Sequence, residues 1–290
     1  MTTLVLACLA LVLAGPVPGA LLRAPWLRRT PRAAMCLWQA VALAGVLAAL
    51  GAGLSLAGAQ LRSGAPSPVT AFSAGLTLLV LARLLLSGHR VGTALRARRR
   101  RQRTLVDLLG RRRSLAGGDV AVLADRQPLA YCLPGPRRAR VVLTDGACAR
   151  LTAAELDAVV AHERAHLRAR HDLVVEAFTV LHQAFPRLGS GTGALAEARL
   201  LVEVLADRAA ARVVGALELA RALVAVGDAP APEAALGAGH GLPVRLELLR
   251  MSMRVSRWQS VQAVLVGAAA AAVVLVPTLL VVLPWLDSWS

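Results

Sequence analysis

The sequence contains no lysine, few aromatic residues and little charge for its length. Charged residues make up 17% of the 290 residues, whereas 57% are hydrophobic and the mean hydropathy is +0.60. So little charge argues against an ordinary soluble enzyme and indicates a membrane protein. The basic residues are all arginine, and the bias towards Arg, Ala, Leu and Val is typical of a GC-rich bacterium.

Cysteine is also scarce, and none of the four cysteines stands in a C-x-x-C pair. This argues against a cysteine-based zinc site and against a disulfide framework. Two of the four lie in apolar runs. We therefore predict that all of them are small buried hydrophobic residues: Cys8, Cys36, Cys132 and Cys148.

Four long apolar runs predict transmembrane helices at about 3–22, 33–59, 69–86 and 261–286. Such runs can cross a hydrocarbon layer of about 30 Å. The first is not predicted to be a signal peptide, because no arginine precedes it. Trp285 and Trp289 suit the interface at the end of the fourth run. The runs carry almost no polar groups at mid-membrane, which argues against the alternative of a transporter or channel.

The distribution of arginine predicts the topology of these spans. The loop after the first span and the segment 89–115 after the third are rich in arginine, whereas the loop after the second holds only Arg62. By the positive-inside rule, both termini are extracytoplasmic and the domain between the third and fourth spans is cytoplasmic. No aromatic residue interleaves with the arginines of 89–115, which argues against nucleic-acid binding. We expect this segment to contact anionic lipid instead.

Residues 116–257 have the composition of a soluble domain that mixes short strands with helices. Strands are predicted at 119–123, 129–133 and 140–144. The next helix begins at Thr152, where Glu155 completes a capping box. Further helices are predicted at 173–185, 194–214, 217–226 and 244–254, with a loop at 227–243. The fold class is therefore a mainly α membrane protein, with four transmembrane helices and an α+β domain that contains a small β-sheet.

The motif His-Glu-x-x-His at residues 162–166 is the central candidate for chemistry. On a helix, His162 and His166 lie one turn apart on the same face, where two imidazoles can bind one zinc ion. Glu163 can then reach a water molecule as general base. The metzincin pattern requires Gly and His at fixed offsets, where this chain has Ala169 and Asp172. Because the motif alone also occurs by chance, the identity of a third ligand matters.

Glu203 is the best candidate for that third ligand. It lies four residues before Asp207, on one face of an otherwise apolar helix, where buried carboxylates need partners. Glu203 can ligate the metal, and Asp207 can accept the second ring N–H of a zinc-bound histidine. His171, five residues after His166, is expected to point away from the ligands. Other isolated carboxylates and histidines are weaker alternatives or packing residues: Glu176, Glu197, His89 and His182.

Together, the two motifs resemble those of the gluzincin metallopeptidases. Within that group, the chain is similar to the membrane antirepressor peptidases of the BlaR/MecR type and, more distantly, to HtpX-type membrane proteases. The similarity covers about 130–215 and includes flanking segments at 133–135, 141–144, 151–156 and 167–172. It implies a zincin-like domain that holds one Zn²⁺ per chain through His162, His166 and Glu203. Glu163 is then the general base, and Asp207 orients a histidine.

The resemblance also implies a polypeptide substrate, either a winged-helix transcriptional repressor or the enzyme itself. The strand near 130–132 could capture it as an additional β-strand. The donor that stabilises the oxyanion stays open between a backbone N–H and three side chains: Tyr131, Arg208 and Arg212. BlaR/MecR sensors carry an extracytoplasmic penicillin-binding domain after the last span, and this sequence ends at Ser290, so β-lactam sensing is not expected. The alternative to an enzyme is an inactive scaffold or signalling partner that retains the fold.

Overall fold

The computed structural model describes residues 2–63, 67–115, 117–135, 139–186, 191–226, 241–252 and 257–286. Most of the loop predicted at 227–243, the side chain of Trp285 and all of Trp289 lie outside the described part. The chain forms two compact units. We call the first the span unit (Met1–His89, Phe178–Glu197 and Ser256–Ser290) and the second the sheet unit (Arg90–Ala177 and Ala198–Val255).

The described part of the chain is mostly helical. In chain order, its α-helices are α1 (Thr2–Ala14), α2 (Pro16–Leu22), α3 (Pro31–Ser63), α4 (Pro68–Leu109), α5 (Asp145–Arg150), α6 (Ala153–Ala169), α7 (His171–Ala184), α8 (Gly191–Val214), α9 (Ala216–Val226), α10 (Leu242–Ser252) and α11 (Arg257–Leu286). The strands are β1 (Arg111–Leu115), β2 (Gly118–Leu123), β3 (Ala130–Leu133) and β4 (Arg140–Thr144). A short 3₁₀ helix at Pro25–Arg29 precedes α3.

Within the described residues, four helical stretches are long and apolar enough to cross a membrane: Thr2–Leu22, Pro31–Gly58, Pro68–Leu109 and Arg257–Leu283. The four predicted spans are therefore confirmed as apolar helices of spanning length. Within the span unit, α3 packs against both α1 and α11. Gly53 of α3 lies against Thr77 of α4, and a Cβ on Gly53 would collide with that threonine side chain. A small residue thus lets two span helices approach closely.

The Arg-rich segment predicted at 89–115 is divided between a helix and a strand. Arginine is a good helix former, so α4 continues beyond the apolar stretch to a total of 42 residues. A turn at Gly117, with φ +72°, then allows β1 to pair antiparallel with β2. The sequence analysis missed β1. Its arginines at 111–113 lie exposed on an edge strand, where their charge hinders pairing with another sheet.

A four-stranded sheet in the order β1-β2-β4-β3 forms the centre of the sheet unit. β2 and β4 are parallel, and β3 pairs antiparallel with β4 as the second edge strand. Alternate residues of the strands face opposite sides of the sheet. One face packs against α6 and α9 in a core that includes Val120, Leu143 and Val160, and the other packs against Val106 of α4. The three predicted strands are confirmed.

Helix α6, which carries the His-Glu-x-x-His motif, begins with the predicted capping box. The Thr152 hydroxyl accepts a hydrogen bond from the Glu155 backbone N–H, and the Glu155 carboxylate accepts one from the Thr152 N–H at 2.8 Å. These bonds satisfy N–H groups that have no partner within the helix. The cap defines the residue at which α6 begins. Because side-chain directions repeat along a helix, this also defines the side of α6 on which the motif lies.

Removing this cap is expected to destabilise the start of α6. A Thr152→Ala variant should lose about 1 kcal/mol of folding free energy, because alanine cannot accept the N–H bond. Thermal unfolding in detergent and hydrogen exchange of the first-turn amides measure the change. Thr104→Ala is the matched control, since Thr104 is exposed in α4 and bonds a carbonyl of its own helix. Equal shifts for the two variants would contradict the role of the cap.

Candidate metal centre

Helices α6 and α8 bring three side chains with metal-ligand atoms together at one buried point. Ligand atoms of His162, His166 and Glu203 all lie within 4.8 Å of one another. The two histidine Nε2 atoms are 3.0 Å apart. The Glu203 carboxylate oxygens lie 3.4 Å from Nε2 of His162 and 3.5 Å from Nε2 of His166. Two imidazoles and one carboxylate therefore face a common centre.

The local sequence explains why these side chains face the interior. In α6, Leu156 and Val160 pack into the core beneath the sheet, and the next turn carries the two histidines. In α8, Val202 and Val204 are buried on either side of Glu203. The carboxylate thus enters an apolar interior, where it needs a positively charged or hydrogen-bonding partner.

Asp207, one turn after Glu203, lies behind the first histidine. Its Oδ1 is 3.0 Å from Nδ1 of His162. At this distance the carboxylate favours a proton on Nδ1, and the Nε2 lone pair is then directed at the common centre. The contact orients the imidazole for metal binding.

Arg245 of α10 completes this group, and the sequence analysis did not identify it. Its side chain is fully buried. Nε donates to Oδ2 of Asp207 at 2.8 Å and Nη2 donates to Oδ1 at 2.7 Å, while Nη1 lies 3.0 Å from Oε2 of Glu203. The signal in the sequence is an arginine within an apolar helix face that includes Leu248 and Leu249. Such a position is costly for a cation unless it is paired.

The charges in this centre are strongly coupled. Burial by itself would lower the pKa of His162, but hydrogen bonds to Asp207 and Glu203 raise it to about 10. Burial would raise the pKa of both carboxyl groups, but the histidines and Arg245 lower the pKa of Glu203 and that of Asp207 to about 2. Burial lowers the pKa of His166 to about 3, so this imidazole is neutral at pH 7. Two ionised carboxylates thus favour positive charge at the common centre.

These residues fit a zinc ion. Two imidazole nitrogens and one carboxylate are a donor set of catalytic zinc sites, which keep a further position for water or substrate. The carboxylates that favour a proton on His162 favour a divalent cation in the same way. Among the described residues, no other group of three His, Cys, Asp or Glu side chains is close enough to hold a metal ion.

His171 lies outside the metal-ligand group, as expected, but it contacts the group directly. Its Nδ1 is 3.0 Å from Nδ1 of His166, and the side chain is buried. The sequence argument placed His171 by its spacing of five residues from His166, whereas Arg170 adopts a left-handed conformation with φ 51° that ends α6. Burial lowers the pKa of His171 to about 4, so a neutral imidazole is present to accept the ring N–H of His166. His171 therefore orients the second histidine.

Glu163 lies next to the first histidine and is 3% exposed. Burial raises its pKa to about 7, against the opposing charge of His162. The thiol of Cys132 on β3 is hydrogen-bonded to the Glu163 carboxyl group. Burial raises the pKa of this thiol well above its ordinary value, and the nearby carboxylate adds to the effect. Cys132 is therefore a neutral neighbour of the candidate base.

The prediction that all four cysteines are buried is wrong for two of them. Cys132 is buried and Cys148 is half-buried, but Cys8 and Cys36 are exposed on span helices. A helix in hydrocarbon can direct apolar residues outwards, so hydrophobic character does not predict burial there. All four are free thiols.

The three predicted oxyanion donors lie in different surroundings. Tyr131 alternates with Cys132 along β3, so its ring packs on the opposite face of the sheet with Leu133. Arg208 is half-buried, and its burial and the charge of Arg212 lower its pKa. Arg212 itself is exposed. The guanidinium that reaches the carboxylates of the centre belongs to Arg245 instead.

The two alternative carboxylates are used elsewhere. Glu197 pairs with Arg28 through two hydrogen bonds of 2.8 and 2.6 Å. Glu176 lies 3.6 Å from Arg99, which also lies 3.5 Å from the buried Asp172. Neither glutamate belongs to the metal-ligand group.

The chain matches a protein-family model. The model for peptidase family M48 matches residues 96–274, which is more than half of the chain and contains the whole metal-ligand group. Comparisons with curated proteins and with solved structures give no match.

Proposed function

The chain belongs to peptidase family M48, and on that premise we propose that it is an integral-membrane zinc endopeptidase of regulatory proteolysis. The observation that carries the proposal is the buried group of His162, His166 and Glu203, which would hold the metal. When bound there, zinc supplies Lewis acidity that polarises a scissile carbonyl and lowers the pKa of water. Family membership makes the chain a metallopeptidase, and the four apolar helices make it a candidate membrane protein.

Glu163 has the position and the environment of a general base. It takes a proton from the attacking water and passes it to the leaving amine. Its Oε2 has no hydrogen-bond partner among the residues that the structure describes, so that oxygen is directed to accept a proton. Asp207 and His171 hold the two histidines in place, and Arg245 holds the carboxylates. Each of these groups is positioned before substrate binds.

The edge strand β3 supports capture of an extended polypeptide segment. β3 pairs only with β4 among the described strands, so its other edge can accept a further strand. Cys132 of β3 is hydrogen-bonded to Glu163. A segment added along this edge would therefore run beside the candidate base. The substrate class is thus a flexible peptide region rather than a folded domain.

Resemblance to BlaR/MecR-type peptidases supports a cytoplasmic winged-helix repressor, or the enzyme itself, as the substrate. The same resemblance and the arginine distribution support a cytoplasmic catalytic domain with both termini outside. Exposed arginines in the second half of α4 support contact with anionic lipid. The alternative is an inactive scaffold or signalling partner. A scaffold need not hold stoichiometric metal, so one zinc per chain in the purified protein favours the enzyme.

Fragment proteomics in cells tests the proposal. Cells with the wild-type chain should contain cleaved forms of one or a few cytoplasmic proteins that are absent from cells with Glu163→Ala, because the variant lacks the base. Zinc in both purified proteins should approach one per chain. Identical fragment sets from the two strains would favour the scaffold.

The rate should depend on pH through the ionisation of Glu163. Burial raises its pKa to about 7, and only the carboxylate form acts as a base, so activity is lost as pH falls through this pKa. A bound cation acts in the opposite direction and lowers this pKa, which places the midpoint at or below pH 7. We expect kcat/KM to fall about tenfold per pH unit on the acid side. A profile that stays flat from about pH 8 to about pH 5 would contradict the assignment.

A further inference from the structure

A cavity of about 630 Å³ lies among the helices of the span unit. Its walls come from α1, α2, α3 and α4, with the end of α7 and the start of α8. They are nearly all apolar, and small residues such as Ala42, Gly45 and Ala49 make room along α3. The polar side chains among the lining residues are Thr3, Ser73, Thr77 and His182.

The cavity runs along α3. Its lining residues on this helix extend from Trp38 to Gly53, which is about 22 Å at the helical rise of 1.5 Å per residue. An apolar space of this length can take an extended hydrocarbon chain.

One end of the cavity carries a polar atom that needs a partner. His182 lines the cavity beside Phe185, and its buried Nδ1 has no hydrogen-bond partner within the described part of the chain. Thr77, towards the other end, already donates its hydroxyl to the Ser73 carbonyl at 2.8 Å. A buried nitrogen without a partner is unfavourable. An oxygen atom at the head of a bound chain would accept or share the proton of this nitrogen.

We propose that this cavity binds one acyl chain of a membrane phospholipid, with the ester end of the lipid at His182. Most of the walls belong to helices of spanning length, so hydrocarbon chains are the surrounding medium. The apolar lining offers too few polar partners for ordered water. A phospholipid joins a long methylene chain to ester oxygens, which matches an apolar cavity that extends along α3 and has a histidine in its lining. The site is separate from the metal centre and does not depend on the proposed peptidase activity.

Native mass spectrometry of the full chain in detergent tests this, with palmitoyl-oleoyl phosphatidylglycerol as the probe. Ala49→Phe places a ring inside the cavity, and Ala42→Phe does so at a second position. Leu43→Phe is the matched control, because Leu43 lies on the same helix but is exposed. We expect the Kd of the first bound lipid to be about tenfold larger for Ala49→Phe and Ala42→Phe than for the wild type. This corresponds to the loss of about two buried methylene groups. Leu43→Phe should bind as the wild type does.

Two variants of His182 test its contribution to lipid binding. His182→Ala should weaken the first lipid about fivefold, while His182→Gln, which keeps a hydrogen-bonding side chain, should retain most of the affinity. Equal binding by Ala49→Phe and Leu43→Phe would overturn the proposal. So would displacement of the lipid by free oleate at equal affinity, which would make the site a fatty-acid site. If both filling variants fail to fold, wild-type protein that keeps less than one phospholipid per chain after extensive detergent washing also overturns it.

Discussion

Replacing Glu163 with glutamine is expected to abolish peptidase activity while the protein keeps its metal. The glutamine side chain is nearly the same size, and Glu163 is not one of the three grouped ligands, so the metal-binding atoms are unchanged. An amide cannot take a proton from water, and the loss of a general base typically costs about 10²- to 10⁴-fold in rate. Cleavage of a fluorogenic peptide measures kcat/KM, and elemental analysis measures zinc per chain.

His162→Ala is the matched control for this variant. It removes a ligand rather than the base, so both metal content and activity should fall. The two variants together separate chemistry from metal binding. If Glu163→Gln keeps more than about a tenth of the wild-type rate, the base is a different residue.

Replacing Arg245 with methionine is expected to produce the largest loss of stability. Arg245 is fully buried and holds both Asp207 and Glu203, so its removal leaves two ionised carboxylates in the interior. Breaking a buried ion pair by removing one partner costs about 3–5 kcal/mol. Arg245→Lys should recover only part of this, because a single ammonium cannot reproduce the forked hydrogen bonds. Chemical unfolding of the full chain in detergent measures the change.

Metal should rescue the Arg245→Met variant more than it stabilises the wild type. A divalent cation between the histidines compensates the carboxylates that have lost their arginine. The difference in unfolding temperature between zinc-loaded and chelated protein should therefore be larger in the variant. Arg250→Met is the control on the same helix, because Arg250 is exposed and pairs with Glu247 at the surface. Equal destabilisation by the two arginine variants would show that the buried pairing does not stabilise the centre.

Features that depend on spacing along one element were predictable from the sequence. The four spans are confirmed as apolar helices because length and apolar composition alone decide whether a helix can cross hydrocarbon. The capping box at Thr152 and Glu155 is confirmed because it involves residues three apart in one helix turn. His162 and His166 lie side by side for the same reason.

Features that depend on which face of an element meets its neighbours were predicted less well. Tyr131 was a candidate for the site, but the pleat of β3 directs it to the face opposite Cys132. Cys8 and Cys36 were expected to be buried and are exposed. In both cases the chemical character of the residue was interpreted correctly. The direction in which its side chain points depends on packing against other elements, which the local sequence does not specify.

The sequence by itself determined the four apolar helices of spanning length, the helix that carries the histidines and the placement of Glu203 and Asp207 one turn apart on another helix. These follow from helical periodicity and from apolar length, which are local properties. Only the tertiary structure decided that Arg245 neutralises the two carboxylates, from a position 38 residues beyond Asp207. It also decided that His171 turns back onto His166, through a left-handed residue that ends α6. The physical reason is that a buried charge takes whichever partner the fold brings within hydrogen-bond distance, regardless of its distance along the chain.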